Sequence, residues 1–169
     1  MKKERLHNLL KLFQEKNIST ERLVEEILGV SEISHATIDV NRADRTGHPE
    51  TIFGEGKTAE QIIDIVQLLD DRKQTVLVTR IDREKGAQLK EKFPEGKWDQ
   101  LGRCFLLSPP TENIIEDACA VICAGTSDLP VAQETIMTLE SLGHRPKLYV
   151  DIGVAGLHRF LHRVDEIRK

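Results

Sequence analysis

The alternation of strand-like and helix-like segments near the C-terminus constrains the fold more than any other feature of the sequence. Apolar runs over 119–124 and 147–152 predict strands, while 130–142 and 155–168 have helical spacing. A strand-helix-strand-helix order within one sheet requires parallel strands joined by a right-handed crossover. Two parallel strands cannot cover both of their faces, so this region is predicted to be the first half of a doubly wound α/β domain. Its remaining strands are expected either from further chain or from other subunits.

The preceding part of the chain predicts a helical hairpin and then a small α/β domain. The hairpin combines an amphipathic helix over 2–16 with a second helix that Ser19 or Thr20 caps and Gly29 ends. Strands and helices are then predicted to alternate: strands over 36–40, 51–53 and 76–79, a strand pair within 98–107, and helices over 58–69 and 82–93.

The segment 108–111, Ser-Pro-Pro-Thr, is the best candidate for a linker because it combines prolines with a change of pattern. The predicted organisation is therefore an N-terminal α/β domain over 1–110 and a partial doubly wound domain over 111–169.

Composition excludes several classes of protein. A net charge of −4, one Trp and one Tyr argue against nucleic acid binding. No apolar stretch approaches the roughly 18 residues of a membrane helix, and the amphipathic N-terminus is unlike a signal peptide. We therefore expect a cytoplasmic protein with no membrane partner. Neither a disulfide framework nor any metal site is predicted, because ligand spacing is missing and the three cysteines are typical of small core residues: Cys104, Cys119 and Cys123.

The stretch "CAGTSDLPVA" follows the first of the C-terminal strands. Gly125 permits close approach of a ligand, and the hydroxyls of Thr126 and Ser127 precede the free amides of a helix start, which attract anions. Asp128 or Ser127 is equally well explained as a simple helix cap. These residues alone do not decide between an anion-binding turn and a simple helix cap.

The stretch "DIGVAGLHRF" occupies the equivalent place after the next strand. It carries two glycines, and His158 and Arg159 fall in the first turn of the following helix. Neighbouring parallel strands end at the same edge of a sheet, where α/β proteins bind ligands. The two stretches together therefore favour one shared crevice.

Four cationic residues are further candidates for anion binding. Arg42 and Arg45 lie in "NRADRTGHPE", where guanidinium forks suit phosphate or carboxylate, or pair locally with Asp44 on a solvated turn. Lys57 lies in "GEGKT", which departs from a P-loop because Thr51 stands where that pattern needs glycine. Lys57 is placed at a helix start all the same, and Arg80 follows a predicted strand.

The combination of "AGTSDLPVA", "DIGVAGLHR", "RTGHPETIFGEGKT" and "VLVTR", in the order that the chain has them, resembles the LarB family of nickel-pincer cofactor biosynthesis. The resemblance covers nearly the whole chain. It implies a C-terminal domain similar to PurE, the aminoimidazole ribonucleotide carboxylase, and an octameric assembly. The implied enzyme carboxylates C5 of the pyridinium ring of nicotinic acid adenine dinucleotide with CO2. It also cleaves the phosphoanhydride, and so yields AMP and pyridinium-3,5-biscarboxylic acid mononucleotide.

The resemblance also implies roles for individual residues. Ser127 and Asp128 match the Ser-Asp of the PurE-type glycine-rich loop, and "HR" at 158–159 matches its Ala-His-Arg segment. Thr126 and Ser127 are expected to bind phosphate or ribose. Asp128 is expected to orient the ribose or transfer a proton, together with His158. The remaining anionic groups are assigned to basic residues: Arg159, Arg42, Arg45, Lys57 and Arg80.

Two departures from the family pattern qualify these roles. Gly156-Leu157 replace the Ser-Ala of PurE, which is consistent with a different substrate. Family members also continue well past the position of Lys169, and the family cysteine that adds to the pyridinium ring matches none of the cysteines here. We therefore expect an N-terminal portion of the enzyme that does not turn over alone.

Two other functions remain open from the sequence. One is a non-catalytic nucleotide-binding or assembly module that pairs with a separate chain. The other is a PurE-like aminoimidazole ribonucleotide enzyme, against which the long N-terminal region and Gly156 argue. The sequence predicts no tightly bound cofactor and leaves open whether Mg²⁺ assists cleavage of the phosphoanhydride.

Overall fold

A computed structural model describes residues 3–168, including all their side chains except those of residues 117 and 118. The chain divides into two compact units, residues 1–50 and residues 51–169, which we call the N-terminal and C-terminal units. The linker predicted at 108–111 lies inside the C-terminal unit, and a domain boundary at residue 110 stays a prediction. Both units mix helices with strands, so the α/β class predicted from the sequence is confirmed.

The N-terminal unit begins with the predicted helical hairpin. Helix α1 spans Lys3–Gln14 and helix α2 spans Thr20–Leu28. The Ser19 hydroxyl accepts a hydrogen bond from the backbone N–H of Arg22 at 3.1 Å, and Gly29 ends the helix in the left-handed region, at φ 77°.

Beyond the hairpin, the N-terminal unit differs from the sequence prediction at two places. A strand β1, Ser31–Ile33, was not predicted; it pairs antiparallel with β2, Ala36–Ile38. No helix is predicted between the strands over 36–40 and 51–53, but the structure has a short helix α3, Arg42–Thr46, there. Gly47, at φ 79°, ends this helix by donating its N–H to the Ala43 carbonyl at 2.9 Å. Gly47 is therefore a helix terminator.

The C-terminal unit opens with a four-stranded mixed sheet flanked by two helices. Its strand order is β3-β4-β6-β5, with β3 parallel to β4 and the other neighbours antiparallel. Thr58 and Gln61 form a capping box at the start of the first helix, and Asp82 caps the second helix. The elements are β3 Thr51–Phe53, α4 Ala59–Asp70, β4 Val76–Thr79, α5 Arg83–Lys92, β5 Lys97–Asp99 and β6 Cys104–Leu107.

The core of this sheet lies along its two central strands. All residues of β4 and β6 are buried. Ile62, Val66 and Leu69 on α4 are fully buried at the helical spacing predicted from the sequence.

The rest of the C-terminal unit is the predicted parallel strand-helix-strand-helix region. Strands β7, Ile115–Ile122, and β8, His144–Tyr149, pair in parallel, and they are connected by α6, Leu129–Ser141. A final helix α7 spans Leu157–Ile167. Both strands begin earlier than predicted, and β8 includes Pro146. A proline is tolerated there because, in a two-stranded sheet, each strand is an edge.

Helix α6 contacts both sheets of the C-terminal unit. Met137, which is fully buried, belongs to one cluster with Leu77 and Leu106 of the four-stranded sheet. Ala132 belongs to a second cluster with Val121 and Cys123 of the parallel pair. One helix therefore covers a face of each sheet.

The parallel pair retains exposed apolar surface. Ile115 and Ile122 on β7 are 48% and 46% exposed, and α7 has no residue classed as buried. Two strands leave surface uncovered, as the sequence predicts for this region. Among the described helices, none has the length and apolar character needed to cross a bilayer.

Candidate functional site

The turn after β7 is organised by Asp128. One carboxylate oxygen accepts a hydrogen bond from the Gly125 N–H at 3.0 Å, and the Asp128 N–H donates to the Gly125 carbonyl at 3.1 Å. This closes a single 3-10 turn over 126–128 immediately before α6. The side chains of Thr126 and Ser127 are exposed on this turn. Asp128 thus has a structural role, while two hydroxyls are available to a ligand.

The turn after β8 is organised by an ion pair. The guanidinium of Arg159 binds the carboxylate of Asp151, whose own backbone is left-handed at φ 61°. A Cβ on Gly156 would lie 2.5 Å from Nε of Arg159, so the glycine leaves the space that this guanidinium occupies. His158 is exposed.

The two turns lie side by side, as the sequence predicts. The Ile152 N–H donates to the Cys123 carbonyl at 3.3 Å, and the Gly153 N–H donates to the Ala124 carbonyl at 3.1 Å. A Cβ on Gly153 would lie 3.0 Å from the Ala124 carbonyl oxygen, so glycine permits this approach. Exposed hydroxyls from one turn, and His158 and Arg159 from the start of α7, therefore lie at the carboxyl ends of β7 and β8. We call this end of the sheet the edge of the parallel pair. Hydroxyl, imidazole and guanidinium groups are suited to a phosphate or a ribose.

Lys57 and Arg80 lie at the carboxyl ends of β3 and β4. The Lys57 ammonium donates to the Phe53 carbonyl at 3.0 Å. Nε of Arg80 binds the carboxylate of Glu134 on α6 at 2.8 Å, and this hydrogen bond raises the pKa of Arg80. Arg80 is therefore already paired, whereas Lys57 is bound by an uncharged carbonyl.

Arg42 and Arg45 lie in the N-terminal unit, and both have local partners. Nη1 of Arg42 is 3.6 Å from the Glu50 carboxylate, and Arg45 pairs with Asp39. Arg45 also lines a cleft of about 890 Å³ beside Arg5. Both arginines are therefore ion-paired locally, but on helix α3 and not on a turn. Neither pairs with Asp44, whose carboxylate binds Arg5 instead.

Sequence reasoning overlooked two basic residues whose side chains bind backbone carbonyls at the ends of β3 and β4. The Lys85 ammonium lies 3.4 Å from the Gly54 carbonyl, and Arg103 donates to the Ile81 carbonyl at 3.2 Å. Their signal was present, since Lys85 lies in the first turn of a helix after a strand end and Arg103 immediately precedes β6.

Two of the three cysteines are enclosed in the protein interior. Cys104 is fully buried, and its burial raises the pKa of the thiol to about 12. Cys123 is also buried, and Cys119 is half-buried on β7. Among the side chains that the structure describes, no three from His, Cys, Asp or Glu are grouped to hold a metal ion.

Comparison with known proteins agrees with the family resemblance that the sequence motifs indicate. The chain is 31% identical over 163 residues to uncharacterized protein MJ0165 of Methanocaldococcus jannaschii. The matched region is 91% of this chain and 64% of that protein, so the chain spans less than two thirds of its relative. Residues 30–109 match the family model of the LarB/PurE-like N-terminal domain, and this match supports the LarB/PurE-like family for the chain.

Proposed function

We propose that this chain is part of a LarB-type carboxylase and hydrolase. The substrates would be nicotinic acid adenine dinucleotide and CO2, and the products pyridinium-3,5-biscarboxylic acid mononucleotide and AMP. The match of residues 30–109 supports the carboxylase family. The observation that carries the proposal is the juxtaposition of the turns at 125–128 and 151–156, which brings hydroxyl, imidazole and guanidinium groups to one sheet edge.

In this proposal the edge of the parallel pair holds a phosphoribosyl group. Thr126 and Ser127 donate hydroxyl hydrogen bonds to phosphate or ribose oxygens, for which their exposure leaves them free. Arg159 neutralises a phosphate, exchanging its pairing with Asp151 for the ligand. Asp128 holds the turn closed through Gly125 and presents its second carboxylate oxygen to a ribose hydroxyl. His158, exposed at the start of α7, is the proton-transfer partner.

The proposal separates binding from turnover. The carboxylation needs an accessible thiolate to add to the pyridinium ring, and a thiolate forms only where its pKa permits. Cys104 is buried with a raised pKa, and Cys123 is buried as well. Cys119 is half-buried, and by its position in the sequence it does not match the family cysteine. We therefore expect this chain to bind the nucleotide without carboxylating it by itself.

Titration calorimetry with AMP and with nicotinic acid adenine dinucleotide tests the binding. Arg159→Gln is expected to weaken AMP binding about tenfold, because a charge-assisted hydrogen bond to phosphate is lost. Ser127→Ala is expected to weaken it several-fold. The matched controls are Arg163→Gln on the same helix and Ser34→Ala on an exposed turn, both of which should leave affinity unchanged.

Two results would contradict this function. Equal effects of Arg159→Gln and Arg163→Gln would show that the edge of the parallel pair does not bind the phosphate. Incorporation of labelled CO2 into nicotinic acid adenine dinucleotide by this chain alone would overturn the separation of binding from turnover.

A further inference from the structure

The guanidinium of Arg159 occupies a space that exists only because residue 156 is a glycine. A Cβ on Gly156 would lie 2.5 Å from Nε, 2.9 Å from Nη2 and 3.1 Å from Cζ of Arg159. These are the three heavy atoms nearest to that position, so Arg159 is the group that a side chain at residue 156 would meet first. Gly156 is itself buried. The guanidinium therefore packs directly on the backbone of residue 156.

A second contact holds the same guanidinium through a different nitrogen. Nη1 of Arg159 binds the carboxylate of Asp151, whose left-handed backbone, at φ 61°, is a conformation that aspartate adopts more readily than most residues. The segment between the two contacts is closed by the Gly156 N–H, which donates to the Gly153 carbonyl at 3.0 Å. Arg159 is therefore held by two points of one short, hydrogen-bonded segment.

The two glycines of this segment differ in what a side chain would meet. A Cβ on Gly153 would lie 3.0 Å from the Ala124 carbonyl oxygen, a backbone atom that is fixed by its hydrogen bond with the Gly153 N–H. The atoms next to Gly156 are instead the far end of a flexible side chain, which can rotate away. An ion pair as exposed as Arg159–Asp151 contributes little to stability. A larger residue at position 156 should therefore move Arg159 with little effect on the free energy of unfolding.

We propose that Gly156 is a positioning residue for the phosphate of the bound nucleotide, because its missing side chain lets the guanidinium of Arg159 rest on the turn before the ligand arrives. The guanidinium then exchanges Asp151 for the phosphate while it stays packed on Gly156. An arginine that is already ordered loses little rotamer freedom on binding, and that loss weakens affinity by up to about tenfold. The inference deepens the proposed function and rests on it for the phosphate that Arg159 binds.

Nuclear magnetic resonance of Gly156→Ala tests the position of the guanidinium without any nucleotide. The Nε–H resonance of Arg159, identified by its loss in Arg159→Ala, should shift and exchange with water faster, because a Cβ at residue 156 displaces Nε. Leu161→Ala truncates a side chain that is 57% exposed on the same helix α7, and it should leave the resonance unchanged. The temperature of thermal unfolding should be the same in Gly156→Ala as in the unmodified chain.

Titration calorimetry with AMP measures the consequence for binding. Gly156→Ala is expected to weaken AMP binding about fivefold, which is less than the loss from Arg159→Gln because the guanidinium charge is still present. In a chain that already carries Arg159→Ala, the same glycine substitution should cause no further loss, since the atoms that it displaces are absent. Leu161→Ala should leave the affinity unchanged.

Several results would overturn the role of Gly156. One is an unchanged Nε–H resonance in Gly156→Ala, and another is unchanged AMP affinity in that variant while Arg159→Gln weakens binding. A loss of affinity that is equally large with and without Arg159, or a lower unfolding temperature that persists in the Arg159→Ala chain, would show that the glycine acts independently of the arginine. Failure of the proposed function is distinguishable, because AMP binding would then be indifferent to Arg159→Gln while the resonance still moves in Gly156→Ala.

Discussion

Truncation of Met137 tests the packing of α6 on the four-stranded sheet. Met137 is fully buried against Leu77, Leu106 and Cys104, which are at most 2% exposed. Met137→Ala removes three heavy atoms beyond Cβ, and at about 0.8 kcal/mol for each buried methylene-sized group the transfer loss is about 2 kcal/mol. A partly collapsed cavity adds to this, so we expect the free energy of unfolding to fall by about 3 kcal/mol.

The single tryptophan makes the measurement specific to the C-terminal unit. Trp98 lies on β5, and a Cβ on Gly86 of α5 would fall 2.4 Å from its ring, so the indole is packed against α5. Urea unfolding followed by its fluorescence therefore reports on the C-terminal unit. Val131→Ala is the matched control: Val131 lies on the same helix and is 64% exposed, so its truncation should change stability by less than about 0.5 kcal/mol.

A loss below about 1 kcal/mol for Met137→Ala, or an equal loss for Val131→Ala, would refute the packing of α6 on this sheet. A second readout is the Cys104 thiol, which lines the same cluster. Thiol-modifying reagents should label Cys104 faster in Met137→Ala than in the unmodified protein under native conditions, since the cavity admits local opening.

Three further predictions follow from close approaches and charges. Gly102→Ala places a Cβ 2.8 Å from the Glu134 backbone nitrogen on α6 and should cost about 1–3 kcal/mol in urea unfolding, whereas Gly125→Ala meets nothing closer than 4.0 Å and should be nearly neutral. The raised pKa of Cys104, about 12 against 9.0, keeps the folded thiol protonated while the unfolded thiol ionises. Stability should therefore fall as pH rises from 9 toward 12, by up to about 1 kcal/mol per pH unit more than in Cys104→Ala. Arg5→Met removes a guanidinium that lies 2.8 Å from the buried Glu26 carboxylate and should speed amide exchange in α2 about tenfold.

Each of these predictions has a contradicting result. Equal stability losses at Gly102 and Gly125 would show that the close approach to α6 is not rigid. Identical pH slopes for Cys104→Ala and the unmodified protein would show that the thiol is not buried in the fold. The control is Lys11→Met, on the exposed side of the same helix. If amide exchange in α2 were as slow in Arg5→Met as in this control, the Arg5–Glu26 ion pair would not contribute to the stability of the N-terminal unit.

The helix starts were predictable from the sequence because the residues that cap them act locally. Thr58 with Gln61, Asp82 and Ser19 each act within one helical turn, so their identity alone locates helix starts. The early part of β8 was missed because Pro146 argues against a strand unless its position at a sheet edge is known. Edge position depends on pairing with residues elsewhere in the chain, which a local pattern does not contain.

The features of the candidate sites also divide into those that the sequence predicts and those that depend on packing between distant parts of the chain. The neighbouring turns after β7 and β8 were predictable, because parallel strands in one sheet end at one edge. The partner of Arg80 was not, since Glu134 lies 54 residues away and the pairing depends on how α6 packs. Lys85 and Arg103 were overlooked for a similar reason, because their side-chain hydrogen bonds to Gly54 and Ile81 depend on how the strands and helices pack.

The position of α6 between two sheets has a thermodynamic consequence. Neither sheet can lose this helix without exposing the other, so the strands from β3 to β8 should melt cooperatively. A nucleotide bound at the turn that begins α6 would stabilise that helix, and through it the distant four-stranded sheet. Ligand occupancy at one end of the unit should therefore slow amide exchange in β4 and β6, which the ligand does not touch.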